Sequence, residues 1–413
     1  MNNSAKARAA LISLISAIAT PALAQQLISN PVISDYMQNT AMGTGALHNV
    51  LPADAGCHNT ASGDDALYSD TIGSYNTAIG FSSLYSNTTG NNNTAAGYES
   101  LYFNSTGSNN TASGYQALYT NTTGGNNTAS GYQALLANTT GSNNTANGNL
   151  ALLSNTTGAN NTATGAAALQ NTTSGANNTA FGNQALNSNT TGKGNAAQGV
   201  NALFSNTTGI RNLGIGSNAL YANTTGGYNI ALGFDAGYNV TNGSNNIEIG
   251  TMGTAGDNNT IQIGVQGTQT STAIAGIFGT TVTGSAVYVT ATGQLGVLAS
   301  SERFKTDVEE MGAASEKLAQ LRPVTFKLKT DSKRTMQYGL IAEEVAKVYP
   351  ELVIRGAGGR IDGVRYEELA PMLLNVVQQQ QAKLAAQEER YDSLARQIQD
   401  MQRQLADVQQ LKN

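Results

Sequence analysis

The sequence predicts a mostly β protein: a trimeric β-solenoid or β-roll of seventeen-residue repeats, then a small α/β module, then a C-terminal trimeric coiled coil. Three observations carry that prediction. Asn recurs every seventeen residues from Asn59 to Asn246, twelve times without slippage. Charge changes abruptly near residue 300: residues 1–299 hold 4 Lys or Arg and 9 Asp or Glu, whereas residues 300–413 hold 17 and 17. Apolar residues then repeat at steps of four and three from Leu373 to Val408.

Composition excludes several classes. A single cysteine, Cys57, rules out a disulfide scaffold. Collagen is excluded, because Pro is scarce and Gly has no period of three. No apolar run is long enough for a spanning helix. A net charge of −5 gives no basis for nucleic-acid binding. His58 beside Cys57 does not make a metal site, and with two His in all, neither metal nor cofactor is expected.

Residues 1–24 read as a signal peptide. Lys6 and Arg8 precede an apolar stretch over 9–19, and Ala22-Leu23-Ala24 is a small-x-small cleavage site. The mature chain then starts at Gln25, and the protein is secreted or at the cell surface. Residues 25–58 form an N-terminal segment ahead of the repeats.

The repeats occupy 59–250. Gly follows each frame Asn by four residues (Gly63 to Gly250), Leu by eight in ten coils (Leu67 to Leu220), and Ala by two in ten of twelve. A fixed short period means one supersecondary unit stacked on itself. Seventeen residues are too few for a helical hairpin. Asn and Gly at fixed offsets favour tight turns over helix, and Thr favours strand. Coils about 4.8 Å apart would stack into a rod of roughly 55–60 Å. Gly63 and its equivalents are expected at φ > 0 corners. Asn59 and its equivalents should ladder their amides from coil to coil. Ala61 and Leu67 and their equivalents should point inward. With a few Tyr, they make so thin a core that several chains are expected to share one. The second Asn-Thr-Thr element starts at Asn171, one residue early, and Ser174 makes up the difference. That turn is therefore expected to tolerate slippage. The repeat itself accounts for the many Asn-x-Thr triplets. Residues 251–299 alternate apolar and small polar residues and read as a β neck.

The repeat pattern resembles the head repeats of trimeric autotransporter adhesins and related bacterial surface fibres, which carry N-x-x-A-x-G elements on trimeric β-rolls. Their usual period is a little shorter. Those adhesins end in a membrane β-barrel anchor; a charged helix ending QQLKN makes that anchor unexpected here.

From Ser300 the text changes. Residues 307–321 read as a helix ended by Pro323, 324–329 as a strand, and 340–349 as a helix stopped by Pro350. The module over 300–366 and the helix after it carry S-S-E-R-F-K at 300–305, L-R-P-V-x-F at 321–326, Y-G-L-I-A-E-E-V at 338–345 and Y-x-x-L-x-P-x-L-L at 366–374. In these motifs the chain resembles the intramolecular chaperone domain of phage endosialidases and tail spikes, the S74 peptidase family. The resemblance spans about 110 residues. It implies a homotrimer folded through this domain, which then cuts itself off with a Ser–Lys dyad. By motif position the dyad is Ser300 and Lys305, and the bond cut is Ala299–Ser300. Ser301 is the alternative nucleophile. A Ser hydroxyl needs a base, and a Lys serves as one only when neutral, through burial or a nearby positive charge. Arg303 supplies such a charge, or pairs with Glu302. Without the resemblance, Ser300 and Lys305 read as surface residues at a domain start.

The coiled-coil helix occupies 367–413, with Gln380 and Gln387 as polar core positions. The leading function is a secreted homotrimeric fibre, for surface structure or adhesion, whose chaperone drives assembly and then cleaves itself off. The alternative is a ligand-binding rod, recognising a host-surface glycan or ice, with the C-terminal module serving only to trimerise. Tyr98, Tyr115 and Tyr132 favour a glycan over flat ice. A rod-borne hydrolase needs paired carboxylates. Asp64, Asp65, Asp70, Glu99, Asp235 and Glu248 are scattered, which also argues against calcium-binding repeats.

Overall fold

The computed structural model describes residues 33–34, 37–49, 56–275, 286–290 and 292–411. The signal-peptide reading of residues 1–24 lies outside these, as does the neck over 276–285. The chain divides into two units, one up to residue 282 and one from residue 283.

The first unit is a parallel β-solenoid. Strand β1 (Ile33–Ser34) pairs antiparallel with β2 (Thr40–Met42). Thereafter each coil adds one three-residue strand, from β3 (Thr60–Ser62) to β14 (Ile247–Ile249), and β15 (Ile261–Ile263) closes a fifteen-stranded sheet in sequence order. Thr60 pairs with Thr77 and Ala61 with Ala78, so the sequence period is the sheet register. The last coil shortens: Ile247 pairs with Ile261, fourteen residues on.

The interior is built from columns. Ala61 and Leu67 and their equivalents are fully buried, as expected. A second inward position follows the frame Asn by seven, with Ala66 and Ala117 among its members and Ser83 and Ser100 replacing Ala in two coils. All of this burial is reached within one chain, so the repeats need no shared core. The tyrosines stay outside: Tyr98, Tyr115 and Tyr132 are 42–47% exposed.

Asn side chains satisfy the polar interior. In the frame column, Asn93 Oδ1 accepts from the Asn110 backbone N–H at 3.0 Å, and Asn110 Nδ2 donates to Gly124 O at 2.9 Å. One bond ties coil to coil and the other ties a coil's start to its end. A second column runs eleven residues later, where Asn121 Nδ2 donates to Asn104 Oδ1 at 2.7 Å and to Gly124 O at 2.9 Å. Each bond contributes about 1 kcal/mol, and a buried polar atom left unpaired costs about 1–3 kcal/mol.

Gly63 has φ 146°, and a Cβ there would stand 2.3 Å from Gly80 O. The corner therefore admits glycine alone. Less expected is the left-handed backbone of the core leucines: Leu67 to Leu220 all sit at φ 52–54°. That conformation costs roughly 1–2 kcal/mol for a side-chain-bearing residue. Burying the leucine returns about as much.

The expected slippage at Asn171 does not occur. Thr172 takes the buried ladder position, and Asn171 faces outward. Thr has no amide to give, so Asn155 Oδ1 is buried without a partner. Asn189 Nδ2 reaches Thr172 Oγ1 only at 3.4 Å. Thr172→Asn should restore both bonds and raise rod stability by about 1 kcal/mol, read as a melting point higher by about 2–4 °C.

Asp70 opens the second ladder. It is buried and accepts from Asn87 Nδ2 at 2.8 Å and Asn59 Nδ2 at 3.2 Å. Burial outweighs those bonds and pushes its carboxyl up to about 7. The folded rod then holds a proton that the unfolded chain releases near pH 4, so stability falls as pH rises from about 4 through about 7. The loss is of order 2–4 kcal/mol. Melting should occur at lower temperature at about pH 8 than at about pH 5, and Asp70→Asn should remove that share of the difference.

Candidate functional site

The candidate site lies in the second unit. Its two-stranded elements are β16 (Tyr288–Val289) with β17 (Leu295–Gly296), β18 (Val324–Phe326) with β19 (Gln337–Gly339), and β20 (Val353–Arg355) with β21 (Ile361–Val364), all antiparallel. Helix α1 is Ala342–Val348 and helix α2 is Tyr366–Leu411. The helix expected over 307–321 is a 3-10 helix at Gly312–Gln320, and Pro350 opens a 3-10 turn over Pro350–Leu352. Pro fits there because a first-turn N–H has no partner within the helix.

The sequence motifs meet in space. Arg322, from the second motif, forms a two-point ion pair with Glu344 of the third: Nη2 to Oε1 at 2.6 Å and Nε to Oε2 at 3.1 Å. Those hydrogen bonds hold the Glu344 carboxyl below its ordinary range. Tyr366, opening the fourth motif, accepts at its hydroxyl from Leu340 N–H at 2.8 Å. A Cβ on Gly339 would stand 2.5 Å from that hydroxyl, which explains the Tyr-Gly pair of the third motif. Val345, Tyr349, Leu352, Val353, Val364 and Met372 form the unit's core. Asn375 and Gln379 donate to Gly312 O and dock α2 on the 3-10 helix.

Arg322, Gly339, Leu340, Glu344 and Tyr366 are therefore scaffold, and the residues expected to form the dyad lie in the first motif, at 300–305. Glu302–Phe304 forms one 3-10 turn, with Ser301 at its N-cap and Lys305 closing it. Ser300, Ser301, Glu302, Arg303 and Lys305 are all exposed. Among the described residues no hydrogen bond joins Ser300 to Lys305, and no ion pair joins Arg303 to Glu302. The Arg303 guanidinium lies instead over the Phe304 ring, 4.6 Å from its centre. Within one chain nothing desolvates Lys305. Ala299 and the residues before it line a groove of about 780 Å³ whose other wall includes Ile354, Arg355 and Arg365. Sequence reading missed those two arginines, which stand more than fifty residues along the chain from Ala299 without a shared motif.

A second cavity, apolar and about 650 Å³, is lined by residues including Leu318, Val324, Tyr338, Tyr366, Leu369 and Leu373. Leu373 also begins the α2 seam. Leu373, Val377, Leu384, Leu394, Ile398, Met401, Leu405 and Val408 are 43–60% exposed, and Tyr391 is 71% exposed. A helix so polar elsewhere leaves this apolar stripe without a partner in one chain.

A β-solenoid rod and a separate small unit of paired strands with a long amphipathic helix fit the class of tail-fibre-like proteins. Comparison with known proteins specifies the small unit: residues 300–354 match the family described as chaperone of endosialidase, Peptidase_S74. The match begins at Ser300 and takes in the first three motifs; the fourth lies beyond it. No curated protein and no solved structure matches the chain. No described helix is long and apolar enough to cross a membrane.

Proposed function

We propose that this chain is a secreted homotrimeric fibre protein, serving surface structure or adhesion, whose C-terminal module assembles three chains and then cuts itself off. The observation that carries the reading is the exposed apolar seam of α2, a helix that begins twelve residues after the S74-matched region ends. Five heptads of such residues bury well only against other helices. Trimerisation also supplies what one chain lacks: a neighbouring chain packed on the exposed 299–305 segment would desolvate Lys305 and lower its affinity for a proton.

In the proposed reaction Ser300 Oγ attacks the Ala299 carbonyl carbon, and Lys305 takes the hydroxyl proton. The proton passes to the departing Ser300 nitrogen as the C–N bond breaks. Water then hydrolyses the ester. Ser301 is the alternative nucleophile, and Arg303 supports the dyad through its charge. Domain limits follow the sequence reading: signal peptide 1–24, N-terminal segment 25–58, repeats 59–250, neck 251–299, chaperone 300–366 and coiled coil 367–413.

A second reading, ligand binding by the rod, has one observation in its favour. Phe81, Tyr98, Tyr115 and Tyr132 stack at 5.2–5.3 Å as an exposed column. Beside it run Glu99, Gln116 and Gln133, joined by side-chain hydrogen bonds of 2.8 and 3.0 Å. A glycan surface would meet apolar edges and amides together there.

Mass spectrometry of the folded product tests the leading reading. Wild type should yield a mature fragment ending at Ala299 and one of 114 residues starting at Ser300. Ser300→Ala and Lys305→Ala should each stay intact while light scattering still reports trimers. An uncut wild-type trimer sinks the cleavage claim, and cutting in Ser300→Ala moves the nucleophile to Ser301. The chaperone role has its own test, in which residues 25–299 are expressed alone. That fragment should aggregate or melt below the cleaved product, because parallel β stacking is slow and exposes strand edges.

A further inference from the structure

The C-terminal end of the rod breaks the repeat at two positions that touch. Ten coils bury a Leu eight residues after the frame Asn, and the eleventh has Gly237 there. The next coil places Glu248 in the inward column where ten coils have Ala. A Cβ on Gly237 would stand 2.9 Å from the Leu220 side chain and 3.5 Å from Glu248 Cγ. The missing leucine side chain is thus the room that the glutamate stem occupies.

Glu248 is 0% exposed, and neither of its carboxylate oxygens has a hydrogen-bond partner. Asp70, equally buried at the other end of the rod, accepts two amide bonds. Asp257 faces the same space as Glu248. The point that a Gly253 Cβ would take is 3.0 Å from Asp257 Oδ2 and 3.3 Å from Glu248 Cδ. Asp257 is itself held in place by the Thr254 N–H at 2.6 Å, the Thr254 hydroxyl at 2.8 Å and Gln262 Nε2 at 3.1 Å. The only basic side chains among the rod's described residues are Lys193 and Arg211, coils away. Burial, with the Asp257 charge second, pushes the Glu248 carboxyl up to about 7.

We propose that Glu248 and Asp257 bind a divalent metal cation at the C-terminal end of the rod. Both Glu248 oxygens and one Asp257 oxygen face the ion, and water completes its shell. Two carboxylates balance a double positive charge. Oxygen ligands without His or Cys select calcium or magnesium over zinc, and a bidentate glutamate suits calcium best. Asp257 lies on the shortened final coil, so the ion fastens that coil to the last full one. This is one terminal site, consistent with repeats too poor in Asp to carry a series.

The test uses full-length protein stripped with a chelator, at about pH 8, where a free carboxyl is ionised. Calcium at about 1 mM should raise the rod's melting temperature by about 5 °C, and calorimetric titration should count one ion per chain. Glu248→Gln and Asp257→Asn should each lose the rise, while Asp70→Asn keeps it. A rise with magnesium in calcium's place also supports the site. No rise with either cation overturns the proposal, and so does a rise that survives in both site variants. If either variant fails to fold, wild-type titration decides: the absence of saturable heat at one ion per chain overturns the proposal.

Discussion

The rod depends on buried Asn amides being satisfied from coil to coil. Side chains of this length that both donate and accept let each coil hand a hydrogen bond to the next. Asn93, Asn110 and Asn127 do so in one column, and Asn104, Asn121 and Asn138 in another. A one-residue slip in a strand would put apolar residues against amides and strand both. The ends obey the same logic. Asp70 opens the described part of its ladder as an acceptor, taking amide bonds from Asn87 and Asn59. The last member, Asn223, accepts from Asn229 instead of a further coil.

Corner geometry follows from closing a coil in seventeen residues. The chain must turn sharply several times per coil, and left-handed residues do this in the fewest steps. At Gly63 a side chain is forbidden by the next coil's carbonyl; at Leu67 one is required, because that corner aims inward and supplies most of the apolar volume. Outside the corners the aromatic columns stack ring on ring, with Tyr68, Tyr85 and Tyr102 spaced 5.0–5.1 Å.

The second unit is organised differently. Its fold comes from a few long-range contacts, with Arg322–Glu344 and Tyr366–Leu340 each joining two motifs. Its small core is self-contained, but the α2 seam and the apolar cavity that the seam borders are not. Ser300 and Lys305 are exposed as well. In the proposed function assembly and chemistry are linked through burial: only the packing of further chains would cover the seam and take Lys305 out of water.

Much of this was legible in the sequence because stacking in register makes chemical periodicity equal to structural periodicity. The Asn frame, the glycine corners, the inward Ala and Leu, and the apolar heptads from Leu373 onward are local signals repeated often enough to read. Other features needed the folded chain. Asn171 and Thr172 look like a slipped turn in the text, yet the backbone keeps its register and seats Thr in the ladder, because twelve coils of hydrogen bonds outweigh one poor side chain. Left-handed leucines contradict residue preference, and only burial in a closed coil compensates for them. A core that looked too thin for one chain proved complete once the second Ala column turned inward. Gly237 and Glu248 appear as unrelated lapses in the repeat until tertiary packing places one in the space left by the other. Local pattern determined the period and the columns; the direction each side chain faces was decided by corner angles that neighbouring coils set together.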